Sequence, residues 1–424
     1  MSMDAATLPE MRDYQEAAID AVGKEWRKGH TRVVLASPTG SGKTSIACEI
    51  FRRTVAKGNR VIFLAHRRRL IQQVAERMIQ FGVPYTVEMA DLSEDAVWVR
   101  KDPHAPVTFA SRDTLISRAI RNGWTGLPTA DLMVVDEVHT LEQPAYLNLA
   151  EQCQIKYRLG LSATPCRADG SGLGKKNWDS IVVAATVRQL IDRDPQFLVP
   201  IKCYAPVELG KKRKRGEKTP SVAGDPVDHW KRYAEGKRTI AFTNKVAEAN
   251  AVRDKFLAAG IPAEVVSADT PDEERNAVIE RIKSGKTLWV GQVNVWTEGT
   301  DIPELEVCQL LCKCDSYIRF AQAVGRVMRP APWTGKKHGI LLDHSGATLV
   351  HGFPDEPVEW KLEEEDDLHA RNKQDKKDGK RSDPIICVKC GALYAGTPAC
   401  PSCGAATPKR QKKVDPALSA ERLE

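Results

Sequence analysis

The segment Ser37-Pro38-Thr39-Gly40-Ser41-Gly42-Lys43-Thr44 constrains this 424-residue chain more than any other. It follows the apolar run Arg32 to Ala36 and opens a helical pattern with Ile46, Ile50 and Phe51 on one side. Strand, glycine-rich turn and helix N-terminus together form the setting of a phosphate-binding loop. Gly40 and Gly42 let backbone N–H groups close around an anion, and the helix dipole adds to the attraction. Lys43 then reaches the β- and γ-phosphates, and the Thr44 hydroxyl is a ligand for Mg²⁺. Thr39 and Ser41 complete the cradle. The pattern's first glycine is replaced here by Ser37.

Downstream, strand-like and helix-like stretches alternate. Arg60 to Ala65, Val107 to Ala110, Leu132 to Val135 and Arg158 to Leu161 read as strands, with helices over Arg67 to Phe81 and Arg112 to Arg121 between them. Such alternation predicts a parallel sheet whose ligands bind at the strand C-termini. Asp136 and Glu137 follow an apolar strand. Asp136 is placed to hold Mg²⁺, and Glu137 to polarise an attacking water. Ahead of the loop, Gln15 opens a helical pattern, and its amide suits an adenine edge. The glycine-rich segment 169–174 lacks a preceding strand and reads as a flexible loop.

From about Pro200 the alternation restarts without a second phosphate loop. Thr239 to Thr243, Glu264 to Val266, Leu288 to Val290, Val307 to Leu311 and Gly339 to Leu342 read as strands of a second parallel domain. Arg326 and Arg329 lie three apart on an expected helix, so their guanidinium forks would share one face. The basic run Lys211 to Arg215 reads as a solvated loop or a phosphate-backbone contact. Residues from about Glu359 are strongly charged and read as a linker unable to bury a core. Beyond it, Cys387, Cys390, Cys400 and Cys403 form two C-x₂-C knuckles, the spacing of a Zn²⁺ site that folds with its metal. The other seven of the eleven cysteines are scattered and read as small reduced core residues.

A formal net charge of +7 is compatible with a polyanionic partner without a global basic field. No secretory pattern opens the chain and no apolar run nears ~20 residues, so a cytoplasmic protein with no membrane partner is expected.

Taken in order, these motifs resemble the superfamily-two helicases of the DExH type, closest to the bacterial and bacteriophage RadD-like branch with a cysteine-rich C-terminus. The resemblance covers about residues 8 to 345. It implies two tandem RecA-like α/β domains, 1–198 and 199–346, then a charged linker at 347–382, a zinc ribbon at 383–410 and a tail at 411–424. It further implies ATP, Mg²⁺ and Zn²⁺ as cofactors, with Gln15 as adenine reader and Gly299, Asp301 and Gln322 at the nucleotide. Arg326 is a second cation there and Arg329 the arginine finger. His66, Arg67, Ser111, Arg112, Thr243 and Asn244 would touch nucleic acid, DNA rather than RNA. Arg69 stands where many relatives have glutamate. The expected activity is a nucleic-acid-dependent ATPase that translocates on or unwinds DNA in repair or phage replication, as a monomer with a replication or repair protein partner. A duplex translocase or ATP-gated clamp without strand separation is the alternative, and a zinc-dependent adaptor with an inactive core is a third.

Overall fold

The computed structural model describes residues 8–90, 96–121, 123, 127–140, 149–153, 155–210, 223–293, 295, 301–365, 367–378 and 382–407. Gly299, the basic run 211–215 and the tail 411–424 lie outside them.

The first sheet has seven strands: β1 (Arg32–Ala36), β2 (Val61–Ala65), β3 (Tyr85–Glu88), β4 (Val107–Ser111), β5 (Leu132–Asp136), β6 (Tyr157–Ser162) and β7 (Ser180–Val183), in the order β3-β4-β2-β5-β6-β1-β7. Every pairing is parallel. Helix α1 (Asp13–Arg27) and the connecting helices α2 (Lys43–Val55), α3 (Arg68–Gln80) and α4 (Arg112–Arg121) pack on its faces. The near-continuous apolar strands follow from burial on both faces. β1 runs between β6 and the edge strand β7, so the phosphate loop emerges beside the end of β6, and the Ser37 N–H donates to the Ser162 carbonyl at 2.9 Å.

α5 (Val187–Ile191) leads to the second sheet: β8 (Ile201–Tyr204), β9 (Thr239–Phe242), β10 (Ala263–Val266), β11 (Trp289–Gln292), β12 (Val307–Leu310) and β13 (Gly339–Asp343), in the order β10-β11-β9-β12-β13-β8, again all parallel. Its helices are α6 (Pro226–Ala234), α7 (Val246–Ala258), α8 (Asp272–Lys283), α9 (Tyr317–Gly325) and α10 (Ala347–His351). Asp343 accepts from the backbone N–H groups of residues 345 to 348 and so caps α10.

The charged stretch after α10 differs from its reading as a linker without packing. Leu362 is 5% exposed and joins Val138, Leu173 and Trp178 in the first domain, whereas Leu368, 3% exposed, joins the second domain's core. Composition misled because two leucines are enough to seat a segment whose charges point outward. The receiving surface is the glycine-rich loop, which is held rather than free. Gly174 N–H donates to Leu362 O, Leu368 N–H donates to Gly170 O, and Ser171 bridges Asp367. A Cβ on Gly172 would stand 2.2 Å from Glu363 O, so only glycine admits this strap. α11 (Leu368–Lys377) follows, and the short hairpin β14 (Ile385–Ile386) with β15 (Leu393–Tyr394) returns to the second domain. There Tyr204 stacks on Tyr233 at 4.2 Å, the Tyr233 hydroxyl donates to Cys390 O, and Ala205 N–H donates to Gly391 O.

Gly172→Ala forces the strap off its seat and should cost about 1–3 kcal/mol, the scale of overpacking a close contact. A thermal-unfolding scan should show a lower midpoint than wild type. An unchanged midpoint would mean the strap contributes nothing to stability.

Candidate nucleotide and nucleic-acid sites

The phosphate loop is built by two glycines in the left-handed region, Gly40 at φ +85° and Gly42 at φ +83°, the latter capping α2. Ser37, in place of the missing glycine, is buried and hydrogen-bonded to the Ser41 hydroxyl at 2.6 Å, while Ser41 Oγ donates to Pro38 O. The substitution therefore cross-links the loop.

Lys43, first residue of α2, lies against Asp136, which ends β5, and Glu137, which follows it. Its Nζ stands 2.8 Å from Glu137 and 3.4 Å from Asp136. Burial alone would depress the ammonium, but the charges of Asp136 and Glu137 outweigh it and hold Lys43 above its ordinary value. Burial raises the Asp136 carboxyl above the usual range, with Lys43 opposing and Glu137 reinforcing the shift. Glu137 has φ +50°, a left-handed conformation that a side-chain-bearing residue rarely adopts. Its backbone N–H donates to Asp136 Oδ1 at 3.0 Å, which helps to hold that strained turn. His139 joins this pair to the end of β6, with Nδ1 3.1 Å from Ser162 Oγ and 3.5 Å from Glu137 Oε2.

The cleft between the domains, about 1170 Å³, is lined by Thr39, Gly40, Lys43, Thr44, Asp136 and Glu137 on one side and by Asp301, Gln322, Arg326 and Arg329 on the other. The domains touch directly across it. A Cβ on Gly40 would lie 3.0 Å from Arg329 Cγ, and one on Gly325 would lie 2.8 Å from Thr39 Cβ. The two arginines do not share a helix face as the spacing predicts. α9 ends at Gly325, Arg326 is its C-cap, and Arg329 lies beyond it. Pro330 further disfavours a helical Arg329, because the residue before a proline is driven out of the helical region. The arginines converge through a turn, and Arg329 forms an ion pair with Asp301.

Gln15 is 4% exposed, and its amide already donates to Ser41 O and accepts from Arg12 N–H. In this arrangement the glutamine supports the phosphate loop. The aromatic surface beside it was not read from sequence: the Arg12 guanidinium lies 4.1 Å from the Phe197 ring centroid, and both line the cleft. Phe197 is 182 residues from Gln15, and no local pattern connects them.

The proposed nucleic-acid residues fall into two groups. His66 follows β2, Ser111 ends β4 and Arg112 opens α4, all at strand C-termini. Arg67 lies beside His66, with Nε 3.2 Å from its Nε2, and lines the cleft between the domains together with Arg68 and Arg69. Thr243 is 1% exposed, with its backbone N–H on the Gln292 carbonyl, so its side chain is not at the surface. Asn244 is exposed and accepts from Arg319 Nη2 at 3.0 Å. Arg319 sits on α9 three residues before Gln322 and was missed, although helical spacing from Gln322 pointed to it.

In the C-terminal hairpin the four cysteine sulfurs lie within 4.8 Å of one another, with 3.6 Å for Cys387–Cys403 and for Cys390–Cys400. A tetrahedral zinc with Zn–S of about 2.3 Å requires S···S of about 3.8 Å, so the donor set fits the ion. Burial raises the Cys387 thiol, but backbone N–H groups of the knuckle and the neighbouring Cys403 bring it down to about 7. Among the described residues this is the one cluster with metal-ligand geometry. Cys308, Cys312 and Cys314 are buried core thiols. No helix of the described residues is long and apolar enough to cross a membrane.

Comparison with known proteins follows the same division of the chain. The family model for the type III restriction enzyme res subunit matches residues 8–167, and the helicase conserved C-terminal domain matches residues 226–331. A 51.5 kDa protein of a Lactococcus phage (isolate 7-9) is 28% identical over 341 residues, covering 77% of this chain and 69% of that protein. The DNA 3'-5' helicase XPB of Mycobacterium tuberculosis is 25% identical over 345 residues, covering 76% and 58%. Against several further curated relatives the chain spans 52% to 64% of their length. Among solved structures, a fragment described as an HsdR subunit of a type I restriction enzyme from Vibrio vulnificus YJ016 superposes with TM-score 0.61 at 20% identity, covering 81% of this chain and 66% of that one. The chain therefore matches a restriction-enzyme res-subunit model over its first sheet and a helicase C-terminal model over its second.

Proposed function

We propose that this protein is a nucleic-acid-dependent ATPase that couples ATP hydrolysis to translocation on, or unwinding of, DNA. One observation carries the reading: Lys43, Asp136 and Glu137 of one domain face Arg326 and Arg329 of the other across a single cleft. Helicase and translocase names among the relatives support it, and the DNA-directed ones favour DNA over RNA. A duplex translocase without strand separation is the second reading, favoured by the restriction-enzyme family model over the first domain.

In this mechanism the phosphates of ATP enter the loop and draw Lys43 away from the carboxylates it now neutralises. Thr44 and Asp136 would hold Mg²⁺, which supplies positive charge to the phosphates when bound. Glu137, released from Lys43, orients the attacking water and accepts its proton. Arg329 exchanges Asp301 for the γ-phosphate, and Arg326 adds a second cation as charge spreads over the transferring group. Asp301 thus keeps the finger beside the loop until phosphate replaces it. Strand-end residues His66, Ser111, Arg112 and Asn244, with Arg319 behind Asn244, are the proposed grip on the nucleic-acid backbone. The cysteine hairpin is proposed as a zinc ribbon of the RadD-like kind, with Cys387, Cys390, Cys400 and Cys403 as ligands and a structural role for the metal.

Three measurements test this. Glu137→Gln should bind nucleotide and hydrolyse it orders of magnitude more slowly, because the water loses its base. Wild-type turnover in that variant would remove Glu137 from the mechanism. Wild-type ATPase should rise on adding DNA at low salt, and the stimulation should decline steeply with salt as phosphate contacts release counterions. Turnover indifferent to single-stranded DNA, duplex DNA and RNA would refute nucleic-acid dependence. Elemental analysis of protein prepared without chelator should find one zinc per chain, and its absence would reject the ribbon.

A further inference from the structure

The segment that follows the arginine finger is stitched to the segment that holds it. Arg329 pairs with Asp301. Four residues on, Trp333 Nε1 donates to Glu304 Oε1 at 3.2 Å. Three further, Lys336 Nζ donates to Pro303 O at 2.9 Å and to Leu305 O at 2.5 Å. Residues 329–336 and 301–305 are thus joined at three successive points. The first and second partners are exposed, with Asp301 and Trp333 at 64% and 68%. Lys336 is different, at 7% exposure.

A buried ammonium with backbone carbonyls as partners is costly, and it persists where the geometry it enforces is needed. Of the two carboxylates beside its anchor, Glu304 accepts from Trp333 and Glu306 is engaged by Lys237 at 2.8 Å. Lys336 therefore serves to fasten two chain segments. We infer that Lys336 is a positioning residue for ATP hydrolysis: by clamping the 303–305 carbonyls it fixes Asp301, and through Asp301 it aims Arg329 at the phosphate loop. The inference rests on the ATPase reading above.

Burial pulls Lys336 down from its ordinary value to about 7, with Glu306 and Glu304 opposing and Arg329 reinforcing the shift. Its proton is present below pH 7 and leaves as pH rises through 7. Charge-assisted hydrogen bonds are roughly twice as strong as neutral ones, so the clamp weakens on the alkaline side. The stability effect has the opposite sign. With a folded value near 7 and an unfolded value near 10.5, the unfolded chain binds more protons between them, and folding is favoured as pH rises through that window. An alkaline loss of turnover arising from Lys336 is therefore not a loss of stability.

The test is the pH dependence of kcat and KM for ATP in the full-length protein with saturating DNA. Wild-type kcat should fall above pH 7. Lys336→Met should lose on the order of tenfold in kcat with KM for ATP within about twofold, the cost of misaiming one group. Lys336→Arg should recover much of that loss and move the alkaline limb upward. In an Arg329→Ala background, Lys336→Met should cost nothing further, as expected of residues acting as one unit. Wild-type turnover in Lys336→Met, or losses that multiply in the double variant, would overturn the inference. If both Lys336 variants fail to bind nucleotide, Trp333→Phe and the wild-type profile decide: a kcat flat or rising from pH 7 to 9 refutes it. A wild type without ATPase under any nucleic acid would instead overturn the functional reading itself.

Discussion

An ammonium buried between two carboxylates governs this molecule's cleft. Lys43 neutralises Asp136 and Glu137 together, at 3.4 and 2.8 Å, in a place where neither acid could be left charged alone without large cost. The arrangement balances the charges of the site within the protein itself. In the proposed mechanism polyphosphate competes for Lys43, and its departure frees both carboxylates. Across the cleft the same logic holds Arg329 on Asp301. Each cation has a protein anion beside it, which the proposed mechanism exchanges for phosphate.

The parallel sheets turn that local exchange into a relation between distant surfaces. Because every strand runs the same way, the proposed nucleotide residues and the strand-end residues emerge at the same edge of each sheet. Helix α9 spans the two roles: Arg319 near its start holds Asn244, and Arg326 caps its end in the cleft. A helix this short is rigid, so displacement at one end is felt at the other. The strap adds a second mechanical link, since its residues pack on the first domain at Leu362 and on the second at Leu368 before the cysteine hairpin docks on Tyr204 and Tyr233. Movement between the domains must carry the strap or break its contacts. Surface ion pairs such as Lys175–Glu363 and Arg167–Glu364 decorate this seat and contribute little by themselves.

Much of this was legible from the chain. The phosphate loop, the Asp-Glu pair after an apolar strand and the paired C-x₂-C knuckles are short-range patterns, because backbone closure around an anion and tetrahedral ligation both depend on neighbours a few residues apart. Two parallel α/β domains followed from strand–helix alternation, which is likewise local. The ends of α4 and most strand limits lie within a residue or two of the pattern. Strands β3, β7 and β8 were not evident, being four residues each and weakly patterned.

Tertiary structure decided what depends on residues far apart in sequence. Phe197 lies beside Arg12, Arg319 reaches Asn244, and Lys336 fastens the 303–305 carbonyls, none of which any spacing rule connects. Packing also reversed local readings: Thr243 is buried at the end of a central strand, and Arg329 lies beyond a helix that stops at Gly325. The charged segment after α10 acquired a seat because Gly172, nearly two hundred residues earlier, has no side chain to exclude it. Sequence determines which chemistry is available at each strand end. Only folding determines which of those groups meet, because burial and charge pairing are properties of the assembled cleft rather than of any window of the chain.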